Sequence, residues 1–172
     1  MGYGLSGAIG ACIAAENKKR TVLIEGDGGF AQNMQEMGTA SLNELNLKIF
    51  IFHDQGHASI RMTQQNYFNG KYLGCDRKSG LGLPNWQRLF GTWDVPCMSI
   101  NRGFEKSESF LNAFNGQGVH VFVVEIDPEQ TYFPKISSRV LENGSMQSNP
   151  IDKMSPELDR AVLDNLLDIL EE

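Results

Sequence analysis

Four short runs constrain this chain more than any other feature: TVLIE at 21–25, KIFIFH at 48–53, VPCMSI at 95–100 and VHVFVVEI at 119–126. Each is apolar through most of its length instead of alternating with polar residues, as expected of strands covered on both faces. The segments between them have helical spacing. Residues 5–15 are small and apolar, 33–45 carry Met34, Met37 and Leu42, and 105–114 carry Phe110, Leu111 and Phe114. Strands alternating with helices build βαβ units, whose crossovers lay helices on the sheet. The expected fold class is therefore α/β, a doubly wound, mainly parallel sheet with helices on both faces.

Two stretches break this rhythm. Residues 54–83 are rich in Gly and Asn and poor in periodic apolar positions, which reads as a long loop of the kind that carries function. Residues 128–150 form an irregular arm rich in Ser, Asn and Pro. It leads to Ser155-Pro156, a suitable N-cap and first-turn pair for a helix with Leu158, Val162, Leu166 and Leu170 on one stripe. The expected organisation is a core domain over 1–127 and a C-terminal arm and helix over 128–172, packing on the same domain or on a partner.

Composition removes several classes of function. The chain has 172 residues and a formal net charge of −6, which argues against nucleic acid as a partner. No apolar run approaches the ~20 residues of a membrane span. In the opening MGYGLSGAIGACIAAENKKR the basic cluster follows the apolar stretch, the reverse of a secretory signal. Cys12, Cys75 and Cys97 are odd in number and widely spaced, implying neither a disulfide framework nor a zinc cluster. These features together suggest a cytoplasmic protein.

The segment IEGDGGF at 24–30 carries the most chemistry. A buried strand runs into Gly26-Asp27-Gly28-Gly29 and a helix follows, the place where ligands bind in open α/β sheets. Glycines there allow a phosphate to approach the backbone, and a helix N-terminus favours it. A carboxylate among such amides calls for a bridging Mg²⁺, a hard cation that keeps substrate phosphates in its shell. Alternatively, Asp27 only caps the next helix. The strand at 48–53 ends in His53-Asp54-Gln55-Gly56-His57, so two neighbouring strands would bring Asp27 and Asp54 to one crevice, with the Gly56 carbonyl as a third oxygen.

These residues resemble a known family. Gly-Asp-Gly followed about 25–30 residues later by an Asn-rich strand end is the cofactor signature of thiamine diphosphate (ThDP)-dependent enzymes, and here the second element is His53-Asp54. The context is similar to the C-terminal, diphosphate-binding domain of the acetolactate synthase-like group: MGYGLSGAIGA at 1–11, GDGGFAQNMQEMGT at 26–39 and Asn46-Leu47-Lys48 each match its pattern. The likeness continues through Ser59-Ile60-Arg61, Gly80-Leu81 and Pro84 and weakens after Ile126.

The resemblance implies a ThDP-binding fold and assigns roles. Asp27 and Asp54 would bind Mg²⁺ through their side chains and Gly56 through its carbonyl. Gly28 and Gly29, after Gly26, would donate to the diphosphate, with His57 and Ala58 beside it. Met1 would fall on the bulky residue that props the bent cofactor, which places it inside the motif of a longer parent. The implied activity is that of a 2-oxo acid decarboxylating lyase or carboligase, a transferase or decarboxylase resembling acetolactate synthase and acting on a small 2-oxo acid. The activating Glu of the family lies on a separate pyrimidine-binding domain, so no catalytic residue is assigned here. A homodimer or higher oligomer would supply that domain from the parent protein or a partner subunit.

The sequence departs from the pattern where Asp54 and His53 stand in place of two Asn, and where Ser59 and Thr63 stand in place of Met and Trp. A cofactor-binding or regulatory module without turnover is the alternative these departures suggest. The glycines of Gly2-x-Gly4-x-x-Gly7 also match an NAD-binding Rossmann fingerprint, which needs a strand directly before it; close helix packing explains them more simply. His120, within a strand, reads as structural, and His57 as either a site residue or loop filling. Cys75 reads as a loop residue, Trp86, Phe90 and Trp93 as core or interface, and Lys18-Lys19-Arg20 as a solvated turn.

Overall fold

This computed structural model describes residues 1–131 and 133–171, with side chains through 169. Contacts divide it into two compact units, Met1–Glu129 and Gln130–Glu172. The first unit runs α1 (Gly4–Ala14), β1 (Thr21–Gly26), α2 (Asp27–Phe30), α3 (Met37–Leu42), β2 (Leu47–His53), α4 (Ala58–Tyr67), α5 (Trp86–Gly91), β3 (Cys97–Ile100), α6 (Glu108–Asn115) and β4 (His120–Glu125). Its four strands form one sheet in the order β1-β2-β4-β3. Every pairing is parallel, with Gly26 beside Phe52 and His53 beside Glu125. All four expected strands are present, and β1 therefore delivers the glycine turn beside the end of β2.

Side chains of successive strand residues point to opposite faces, so the sheet has two separate cores. On one face Leu47, Ile49, Ile51, Val121 and Val123 pack under Leu5, Ile9 and Cys12 of α1, Phe30 of α2, Met37 of α3 and Trp86 and Phe90 of α5. Phe30, Trp86 and Phe90 meet ring to ring at centroid distances of 5.8–5.9 Å. On the other face Phe122, Ile100 and Phe50 pack against Phe110 and Phe114 of α6. Fully burying each such side chain is worth about 1.5–3 kcal/mol over leaving it in water. Trp86 and Phe90, expected as core or interface, are core.

Three expectations need correction. Residues 54–83 do not form a loop throughout, because α4 occupies Ala58–Tyr67. The segment 33–45 is a 3-10 turn at Met34–Glu36 followed by the short α3, and α6 likewise begins only at Glu108, after a 3-10 turn and a Ser107 cap whose side chain accepts from the Phe110 amide. Ser155-Pro156 does not start the last helix.

The second unit holds two antiparallel pairs, β5 (Lys135–Ile136) with β8 (Met154–Ser155), and β6 (Ser138–Val140) with β7 (Met146–Ser148), followed by α7 (Arg160–Glu171). Ser155 is a strand residue opposite Lys135. The helix start is served instead by Asp159, whose Oδ1 accepts from the Ala161 amide at 2.9 Å. Leu158 thus precedes the helix, Val162 and Leu166 lie on it, and the Leu170 side chain falls outside the described ones. Among the described residues no helix is long and apolar enough to cross a membrane.

Candidate functional site

Strands β1 and β2 end side by side, and the chain turns polar at both ends. Asp27, the first residue of α2, is completely buried. Its Oδ1 accepts from the Gly28 amide at 2.7 Å, and its Oδ2 accepts from the Gln55 amide at 2.9 Å and lies 2.6 Å from His53 Nδ1. The carboxylate is therefore held by its own turn and by the turn after β2, which is more than capping a helix requires. Hydrogen bonding to Asp27 raises the His53 pKa above its ordinary value against the effect of burial. Asp27 Oδ2 thus favours the charged form of His53, which marks the position as one that attracts positive charge.

Asp54 is in the opposite condition. Its Oδ1 is shut off from solvent and has no hydrogen-bond partner; the nearest cation is Arg61 Nη2 at 3.6 Å. Burial, then the neighbouring Asp27 charge, raise its pKa, and Arg61 and His53 offset this in part. Two carboxylates close enough to repel, one with an orphaned buried oxygen, suit a hard cation that neither has as a protein partner.

The turn that follows is tightly built. Gln55 adopts a left-handed φ of 65°, strain of the kind found where neighbouring structure over-determines a residue. The result is the amide contact with Asp27. Gly56 pairs with Asp76 in an isolated bridge, and the His57 amide donates to Cys75 O at 2.8 Å. A Cβ on Gly56 would collide with Cys75 O, so only glycine lets the 68–85 loop close on this turn. A Cβ on Gly28 would collide with His57 Nδ1 and Gly56 O, whereas one on Gly26 would meet open space. Gly28, Gly56 and His57 therefore converge on one small region.

The structure thus brings together Gly26, Asp27, Gly28, Gly29, Asp54, Gly56, His57 and, as the first residue of α4, Ala58. Met1 stands apart from this turn, exposed before α1, with its sulfur 3.8 Å from Gln32 Nε2. The Gly28 amide, expected to face a diphosphate, is turned to Asp27 here. The three histidines separate by role: His53 faces Asp27, His57 meets the glycine turn, and His120 lies on β4 with Nδ1 3.4 Å from Lys48 Nζ. Gly4 and Gly7 are accounted for by packing, since a Cβ on Gly4 would meet Glu25 and one on Gly7 would meet the Tyr3 ring.

The sequence alone assigns no role to three residues that shape the site. His53 is one, open as a metal ligand or a proton shuttle from its place beside Asp54. Glu25 is another: its Oε2 is buried without a hydrogen-bond partner, and burial raises its pKa despite the nearby Gly4 amide. The third is Arg61, which is 7% exposed and donates to Pro128 O at 2.8 Å and Asp54 O at 3.3 Å, binding α4 to the end of β2. Among the described residues no group of three or more His, Cys, Asp or Glu side chains is placed to hold a metal ion. Two carboxylates and a carbonyl leave a Mg²⁺ shell incomplete, so the remaining oxygens have to come from a ligand and water.

A parallel α/β sheet with a glycine turn and paired carboxylates at its carboxyl edge defines a class of domain that binds phosphorylated cofactors. Residues 1–126 match the family model described as "Thiamine pyrophosphate enzyme, C-terminal TPP binding domain", and the chain belongs to that family; thiamine pyrophosphate is another name for ThDP. It is 28% identical over 137 residues to the acetolactate synthase large subunit of Porphyra purpurea, covering 80% of this chain and 23% of that protein. It is likewise 28% identical over 155 residues to the acetolactate synthase isozyme 2 large subunit of Escherichia coli K12, covering 90% of this chain and 27% of the relative. Among solved structures, the thiamine diphosphate-dependent 4-hydroxybenzoylformate decarboxylase of Rhodococcus jostii RHA1 shares the fold, with a TM-score of 0.65 at 17% identity over 76% of this chain and 24% of that one. The chain thus spans about a quarter of the length of these relatives.

Proposed function

We propose that this domain holds the diphosphate end of ThDP through Mg²⁺ as one part of a 2-oxo acid decarboxylating enzyme resembling acetolactate synthase. The observation that carries this reading is the buried Asp54 Oδ1, without a hydrogen bond and with only Arg61 at 3.6 Å, beside the fully buried Asp27 at the ends of two adjacent parallel strands. Asp27, Asp54 and the Gly56 carbonyl supply three oxygens to the metal. Gly28 and Gly29, in the first turn of α2 where amides lack intrahelical acceptors, lie beside the diphosphate. His57 and Ala58 border it, and Met1 supports the far side of the cofactor.

When bound, ThDP supplies the carbanion chemistry that a 2-oxo acid decarboxylation or carboligation needs. The residues of this chain bind, orient and neutralise the diphosphate. They include no activating Glu, which a pyrimidine-binding domain of the parent protein or of a second subunit contributes in this reading, so the working unit is a homodimer or higher oligomer. The substrate is a small 2-oxo acid, and Ser59 and Thr63 on α4 stand where biosynthetic acetolactate synthases carry Met and Trp.

Because the protein supplies too few ligands alone, metal and cofactor should bind only together. Mn²⁺ serves as a spectroscopic stand-in for Mg²⁺. Its electron paramagnetic resonance signal should change on adding this protein with ThDP and remain that of free Mn²⁺ when either is omitted. A Mn²⁺ signal indifferent to ThDP would overturn the metal assignment.

A further inference from the structure

We infer that Glu25 is a positioning residue that ties the start of α1 to the glycine turn after β1, keeping the two sides of the cofactor site in register. The inference rests on the reading above of where ThDP binds. Glu25 is the penultimate residue of β1 and shares a face with Leu23, which packs against the core under α1 and α2. Its carboxyl group fills the space that two glycines leave. A Cβ on Gly4 would lie 2.5 Å from Oε2 and 2.9 Å from Oε1, and a Cβ on Gly29 would lie 3.1 Å from Oε1. A side chain at the first residue of α1, or in the turn that carries Asp27, would have to displace this carboxyl group.

Two further observations agree. The helix α1 begins at Gly4, its N-cap Tyr3 offers no side-chain hydrogen bond, and its first turn has no acidic residue. A carboxylate against Gly4 supplies the negative charge a helix N-terminus favours. The Glu25 Oε2 is closed off from solvent with no hydrogen-bond partner, a placement that costs stability. A carboxyl group wedged between two elements of a binding site, with one oxygen left unpaired, fits a positioning role. The start of α1 carries Met1-Gly2-Tyr3 and the turn carries Gly28-Gly29, so moving either one displaces Glu25 against the other.

The test uses the whole chain with Glu25→Ala and Glu25→Gln, read in three ways. Glu25→Ala should weaken Mg²⁺-dependent ThDP binding roughly tenfold while leaving the thermal midpoint unchanged or higher, because an orphaned oxygen is removed. Glu25→Gln keeps the size and one acceptor, and should stay within about threefold of wild type. In cofactor-free protein, amide hydrogen exchange should quicken in Glu25→Ala at residues 4–6 and at residues 28–30 together. The proposal is overturned if the midpoint falls with affinity intact, or if exchange rises at only one of the two segments. If wild-type protein bound no ThDP, the functional reading would fail, and the exchange measurement would still decide the role of Glu25 by the same criterion.

Discussion

Strand β2 carries a buried charge at each end, and the two ends are finished differently. At its start Lys48 is fully buried, and its Nζ donates to Gly118 O and to Asn46 Oδ1 at 3.1 Å, with His120 Nδ1 at 3.4 Å. At its end Asp54 keeps a buried oxygen with no partner, beside the carboxylate of Asp27. Each charge meets the cost of leaving water: the lysine donates hydrogen bonds on the protein side and is still held at a lowered pKa, whereas Asp54 Oδ1 has only Arg61 at 3.6 Å and no hydrogen bond. The amino edge of the sheet is thus complete as it stands, and the carboxyl edge becomes complete when a cation joins it.

The sharpest way to break this comparison is at Asp27. Asp27→Ala should weaken Mg²⁺-dependent ThDP binding by at least about a hundredfold, since it removes a proposed metal ligand and frees His53 and the Gln55 amide. Equilibrium dialysis with labelled ThDP measures it, and unchanged affinity would sink the assignment. At the other end Lys48→Met should cost about 1–3 kcal/mol of unfolding free energy, because Gly118 O and Asn46 Oδ1 lose their donor. Denaturant unfolding reads that loss, and ThDP affinity should stay within twofold or so.

Lys48 also sharpens the contrast through pH. Burial first, then the Arg20 charge, lower its pKa from the ordinary 10.5 to about 8. Between those values the unfolded chain binds a proton that the folded protein has released, so unfolding free energy rises with pH across that window. The gain should be about 3 kcal/mol and should vanish in Lys48→Met when unfolding is followed from pH 7.5 to 10.5. The smallest effect is expected from Asp54→Asn. Removing one of two repelling carboxylates should stabilise the cofactor-free protein by about 0.5–1 kcal/mol, while an amide oxygen at the same place keeps ThDP binding within several-fold. Loss of binding in that variant would show that the second carboxylate has another task.

The sheet was legible from sequence because its strands are unbroken apolar runs, and IEGDGGF sat at the end of one of them. Strand β1 itself alternates half-buried with exposed residues, Val22 and Ile24 lying in solvent, so its apolar run did not mean burial on both faces. The paired carboxylates were legible because β1 and β2 are neighbours with a simple register. The helix α4 was not, because its buried position is Arg61, so charge stands where an apolar residue would have marked the period. Ser155-Pro156 misled because capping residues also serve strands, and Ser155 is held opposite Lys135 in a two-stranded pair. His53 stayed unassigned and Glu25 was missed for a shared reason: their roles arise from contacts across 21 or more residues, His53 with Asp27 and Glu25 with Gly4, which no local pattern records.

The most direct test of the central claim is a calorimetric titration of ThDP into this protein with Mg²⁺, repeated in excess EDTA. The account predicts saturable binding with the metal present and none without it. Binding of equal strength in EDTA would contradict it, because Asp27 and Asp54 would then have been assigned a cation that the cofactor does not need.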